Sequence, residues 1–99
     1  MRYDFDWDPN KERANIIKHG ISFRRAAGVF RDADHLSIYD EEHSAKEDRW
    51  ITLGIDETGI LRVVVHTFEQ IEEDLWRVRI ISARKATRVE ENQYNRMNQ

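Results

Sequence analysis

Between residues 49 and 82 the chain alternates. Three runs, Arg49 to Ile55, Ile60 to Phe68 and Leu75 to Ser82, set an apolar residue at almost every second position. A period of two is the signature of a half-buried strand. Asp56-Glu57-Thr58-Gly59 joins the first two runs as a short turn carrying a glycine, and the acidic segment 69–74 joins the second and third. Connections this short make consecutive strands antiparallel. Sorting alternate residues puts Ile51, Leu53, Ile55, Leu61, Val63, Val65, Trp76, Val78 and Ile80 on one apolar face. Trp50, Thr52, Arg62, Val64, His66, Arg77, Arg79 and Ile81 fall on the other. Pairing through the turns sets Trp50 opposite His66, His66 opposite Arg77, and Arg79 near Val64. A one-residue slip would carry the arginines into the core, so the pattern resists slipping.

An apolar sheet face has to be covered, and the flanking segments supply helices. Tyr3, Phe5 and Trp7 alternate with aspartates as a further strand. Asp8-Pro9 reads as a helix cap followed by proline at the first helical position, with Gly20 as the stop beyond His19. Ser22 caps a second helix whose Phe23, Ala26, Ala27 and Phe30 share one face. Leu36 to Tyr39 reads as a short strand and 40–48 as an acidic loop. Thr87 and Glu90 form a capping box for a last helix ending near Met97. The expected fold is α+β: an antiparallel sheet with an N-terminal helical pair and a C-terminal helix, in one domain spanning 1–99.

With no cysteine, disulfides, thiolate metal sites and a cysteine nucleophile are excluded. His35 and His43 lack ligand spacing, and Asp40 to Glu42 reads as a solvated loop, so no metal and no cofactor are expected. No apolar stretch approaches the ~20 residues that span a bilayer. The expectation is a cytoplasmic protein without a membrane role. The net charge of −3 weighs against a surface coated for nucleic acid, but bases gather from Arg77 onward.

Arg77, Arg79, Arg84 and Lys85 allow two readings. One is a solvated, charge-balanced face, with Arg84 and Lys85 paired to Glu90, Glu91 or the acidic loop. The other is an anion site, because adjacent like charges repel unless an anion joins them. Bases with aromatics are what single-stranded nucleic acid requires. A phosphate at the N-terminus of the last helix would reconcile Arg84 and Lys85 with that helix's positive end.

Several motifs together resemble one family. "KHGISFRRAAGVFRD" at 18–32, Glu47-x-Arg49 before a strand, "VVHT" at 64–67 and "RIISARKATRVEENQY" at 79–94 are similar to the BrnT family of bacterial type II toxins. The resemblance implies a RelE-like domain with helices on a curved antiparallel sheet. It implies metal-independent RNA cleavage, growth arrest and neutralisation by a cognate antitoxin of the BrnA kind. Promoter DNA would then be met only through the antitoxin complex. The acidic net charge departs from the usual basic ribonuclease toxin.

Metal-free RNA cleavage turns the 2′-hydroxyl on the neighbouring phosphate. It needs a base, an acid and cations for the phosphorane charge. Arg79 and Arg84 are the expected phosphate ligands, because the guanidinium fork binds phosphate bidentately and stays charged. His66 is the expected acid–base group, since its ordinary pKa lies near 6.5. Glu47 is the alternative base, held by Arg49, and a plain surface ion pair is the competing reading. Trp50 is placed to stack a base or to pack under the N-terminal segment. Arg77 and Lys85 are further RNA contacts. Lys18 and His19 match the family's "KHG", and they also suit the negative end of a helix. Two other roles stay open: an inactive homologue that only binds antitoxin or regulates, and a direct DNA binder.

Overall fold

The computed structural model describes residues 1–99. Strand β1 (Arg2–Trp7) leads into helix α1 (Pro9–His19) and the one-and-a-half-turn helix α2 (Phe23–Ala27). Strands β2 (Leu36–Tyr39), β3 (Trp50–Ile55), β4 (Leu61–His66), β5 (Glu69–Glu72) and β6 (Leu75–Lys85) follow, and helix α3 (Arg88–Met97) closes the chain. The sheet runs β1-β6-β4-β3-β2, and β5 pairs the first part of β6.

Local chemistry sets the helix ends where the sequence indicates. The Asp8 carboxylate accepts from the Asn10 amide at 2.8 Å, and Pro9 opens α1. Gly20 stops it at φ 70°, where a side chain would be strained. Thr87 and Glu90 form both halves of the capping box on α3. The second helix is shorter than its apolar spacing suggests. It tightens into a 3-10 turn over Gly28–Arg31 that still buries Val29 and Phe30.

Three expectations about the sheet are corrected. β1 runs parallel to β6, so the sheet is mixed and not wholly antiparallel. The segment 69–74 is not all turn, because Glu69–Glu72 pairs with β6. The third correction follows from one residue. Val65 pairs with Ser82 but His66 pairs with Ile80, so Ile81 is an extra residue in β6. A bulge of this kind reverses which face later side chains occupy. The pairing is also offset along β6 from the expected one, by three residues at His66 and four at Val64, so His66 does not lie opposite Arg77, nor Arg79 near Val64. Glu69 is the partner of Arg77, and Ala83 that of Val64.

Both faces of the sheet carry a core. On the first, α1, α2 and the 3-10 turn bury Ile21, Phe23, Ala26, Val29 and Phe30 against Val64, Val78, Ile80 and Ala83. Tyr3, Phe5 and Trp7 of β1 pack at its side. On the second, α3 brings Tyr94 and Ala86 onto Leu53 and Val63. Asn15 fastens α1 to β6 beside the bulge. Its side chain donates to the Ile21 and Ala83 carbonyls at 3.0 and 2.9 Å and accepts from the Ala83 amide at 3.1 Å.

Gly54 lets the 3-10 turn lie directly on β3. A Cβ there would sit 2.8 Å from the Val29 carbonyl oxygen and 2.9 Å from the Val29 Cβ. Neither atom can swing aside. Gly54→Ala is expected to destabilise the fold by about 1–3 kcal/mol, read as a lower urea midpoint at unchanged slope. An unchanged midpoint would show that the turn is not seated this closely.

Candidate active site

The bulge decides which side chains meet. Arg77 and Arg79 lie on the α3 side of the sheet, at the end that α3 does not cover. There they line an open groove of about 420 Å³ with Asp6, Glu47, Asp48, Thr67, Phe68 and Glu69. Arg49 stands beside it, its Nε 3.7 Å from Glu47 Oε1. Of the expected site residues, Glu47, Arg49, Arg77 and Arg79 are thus brought together.

The arginines here are held loosely. Asp6 approaches Arg79 at 3.6 Å and Asp4 approaches Arg77 at 3.6 Å. All four of these side chains are between 43% and 52% exposed, so each pair is weak and readily exchanged. Arg62 shows the contrast. Its Nε donates to Asp56 at 2.9 Å, and both side chains are almost fully buried. Burial pushes the Asp56 carboxyl up, but bonds from Thr58, Arg62 and Ile60 outweigh it and hold the pKa low. That pair is structural.

Two buried side-chain polar atoms in the chain make no hydrogen bond: Asp6 Oδ1 and Arg49 Nε. Such orphans are rare in folded proteins and call for a reason. Both belong to this groove and its margin.

His66 is elsewhere. It is 1% exposed and packs edge-on to Phe30 on the opposite face. Its Nε2 bonds Thr52 Oγ1 at 2.6 Å and its Nδ1 bonds the Thr67 carbonyl at 2.8 Å. Burial drives its pKa down to about 4, against the Thr67 bond, with His35 adding a smaller downward push. Both nitrogens are engaged and neither faces solvent, so the open acid–base role expected of His66 is withdrawn. Its expected company with the arginines is withdrawn too. Trp50 shares the His66 face, edge-on to Tyr39 and Phe68 at 5.4 and 6.3 Å. It belongs to an aromatic cluster and not to the arginine groove.

Arg84 and Lys85 lie inside β6, not in a loop after it. Arg84 donates from both terminal nitrogens to Glu90 at 2.8 Å. That hydrogen-bonded pairing lowers the Glu90 pKa to about 2 and raises that of Arg84. Glu90 also accepts from the Thr87 amide, so a carboxylate already fills the place at the helix N-terminus where a phosphate was considered. The charge-balanced reading of Arg84 is the one seen. Lys85 is exposed and borders a hollow under α3 with Glu91 and Tyr94. Lys18 and His19 are exposed in the last turn of α1. None of these four joins the groove.

Asp6, Asp48, Thr67, Phe68 and Glu69 also line the groove and are not marked as site residues by the sequence. The strand signal of Tyr3, Phe5 and Trp7 pointed toward Asp6, but only its parallel pairing sets Asp6 beside Arg79. No three His, Asp or Glu side chains lie close enough to hold a metal ion, and no helix is long and apolar enough to cross a membrane.

A family model described as "Ribonuclease toxin, BrnT, of type II toxin-antitoxin system" matches residues 7–90. Comparison with curated proteins gives no match. Among solved structures, the ribonuclease toxin BrnT of Brucella abortus superposes with a TM-score of 0.58. The two are 22% identical, and the match covers 89% of this chain and all of that one. At that identity the likeness speaks for the fold.

Proposed function

This chain belongs to the BrnT family of ribonuclease toxins of type II toxin–antitoxin systems, and we propose that it cleaves RNA without a metal ion at the groove of Glu47, Arg49, Arg77 and Arg79. Membership in that family implies an antitoxin partner. A BrnA-like antitoxin, the RNA substrate, contact with promoter DNA only through the antitoxin complex, and a cytoplasmic setting belong to the same reading. So does the RelE-type likeness.

One observation carries it: Arg49 Nε is a buried donor without a hydrogen bond, beside exposed arginines that are only loosely matched. A scissile phosphate entering the groove displaces Asp6 from Arg79 and offers Arg49 an acceptor. Glu47 takes the proton of the 2′-hydroxyl, the 2′-oxygen bonds to phosphorus, and the bond to the 5′-oxygen breaks. The departing oxygen takes its proton from water in the open groove. Arg79 and Arg77 hold the charge that builds on the phosphoryl oxygens, strongest where it is largest.

The purified protein is expected to cut RNA in the presence of EDTA. The products should carry 2′,3′-cyclic phosphate and 5′-hydroxyl ends. Glu47→Gln should slow this by roughly 100- to 10,000-fold, as for loss of a general base. Loss of activity in EDTA, or 3′-hydroxyl and 5′-phosphate ends, would contradict the mechanism. A second reading keeps a specific support. Each groove arginine already has a carboxylate neighbour, as an inactive, antitoxin-binding homologue would allow. Intact RNA after incubation with folded protein would favour it.

A further inference from the structure

Adjacent residues of β1 face opposite sides of the sheet. Asp6 lines the arginine groove. Its neighbours Phe5 and Trp7 line a separate hollow of about 460 Å³ on the other face, together with Arg24, Ala27, Gly28, Arg31 and Glu57. We propose that single-stranded RNA leaving the active groove crosses the free edge of β1 and is held in this second hollow, its phosphates on Arg24 and Arg31 and a base against Trp7. This rests on the RNA-cleavage reading above.

The cations here differ from those of the sheet. Arg62, Arg77, Arg79 and Arg84 each have a carboxylate within 4 Å. Arg24 and Arg25 are exposed and have no such partner. Arg31 has one, Glu57, at 3.6 Å, and that pair is 82% and 65% exposed. Salt and water screen such a contact, so it gives way to a phosphate at little cost. Charge beside half-buried rings is the combination that grips single strands with little regard to sequence. A plain acidic peptide would use the arginines and leave the rings idle.

The two hollows lie on opposite sides of β1, because Asp6 lines one and its neighbours Phe5 and Trp7 line the other. A site on each side of one edge strand gives the RNA two points of attachment, which raises the effective concentration of the scissile phosphate at the first.

The test uses a fluorescein-labelled oligothymidylate long enough to span both hollows. It has no 2′-hydroxyl and cannot be cut. The intact protein should bind it with a steep dependence on salt. The double variant Arg24→Ala, Arg31→Ala replaces two exposed side chains and should lower the magnitude of the log–log salt slope by about 1.4, about 0.7 per lost phosphate contact. The same variant should cleave a trinucleotide at the wild-type rate and lose kcat/KM only on longer RNA. An unchanged slope, or equal losses on short and long RNA, would overturn the second site. A wild-type protein that binds the probe through these arginines yet leaves RNA intact would count against the cleavage reading alone.

Discussion

Acidification from pH 6.5 to pH 4 is expected to remove roughly 3 kcal/mol of folding stability through one side chain, His66. In the unfolded chain this imidazole titrates near 6.5, and in the folded protein burial lowers that to about 4. Between these values the unfolded state binds a proton that the folded state does not. The contribution is therefore complete above the unfolded value and declines as pH falls toward the folded one. Glu90, lowered from 4.5 to about 2, acts in a separate window, because its contribution is lost only as pH drops below the ordinary carboxylate range. Urea midpoints measured across the upper window should fall by one proton's worth of slope. His66→Gln should flatten that slope whatever it does to absolute stability. A wild-type protein with no slope there would mean that His66 is charged or solvated, and the buried assignment would be wrong.

Arg79→Ala is expected to lower RNA cleavage by roughly 100- to 1,000-fold, the usual effect of removing a preorganised donor to developing charge. In cells lacking the antitoxin, the variant should relieve growth arrest. Thermal stability should change little, since the pair that Arg79 makes with Asp6 is half exposed at 3.6 Å. Arg79→Lys should fall between the two, keeping the charge but losing the bidentate fork. Full activity in the alanine variant would remove Arg79 from the mechanism.

Much of the scaffold was legible because it rests on local chemistry. Asp8-Pro9, Gly20 and the Thr87–Glu90 box mark helix ends by hydrogen bonds that involve neighbouring residues. The β3–β4 pairing of Trp50 with His66 follows from the short turn at Asp56 to Gly59. The assignment of faces failed at one place. Ile81 leaves the alternation of β6 intact to the eye yet reverses its sense beyond the bulge. No local rule marks such an insertion, because it shows only in the pairing of β6 with β4. His66, an ordinary polar residue by sequence, falls into the core because Phe30 covers the Val64 face on which it lies. The parallel pairing of β1 was hidden for a related reason: two helices and four strands separate it from β6. β5 was hidden because its acidic composition resembles a loop. Glu47, Arg49, Arg77 and Arg79, which meet at the groove, were singled out by residue type, by the Glu47-x-Arg49 motif and by proximity to strands. Asp6 was not, because its place beside Arg79 exists only through the long-range pairing.

The most direct measurement follows the guanidinium Nε–Hε signals by NMR while an RNA carrying 2′-deoxyribose at the cleavage position is added. The signals of Arg79, Arg77 and Arg49 are expected to shift together and saturate with the binding curve, while that of buried Arg62 stays fixed. The mechanism is contradicted if those three remain still as RNA binds and the signals that move belong to Arg84 and the α3 end of the sheet.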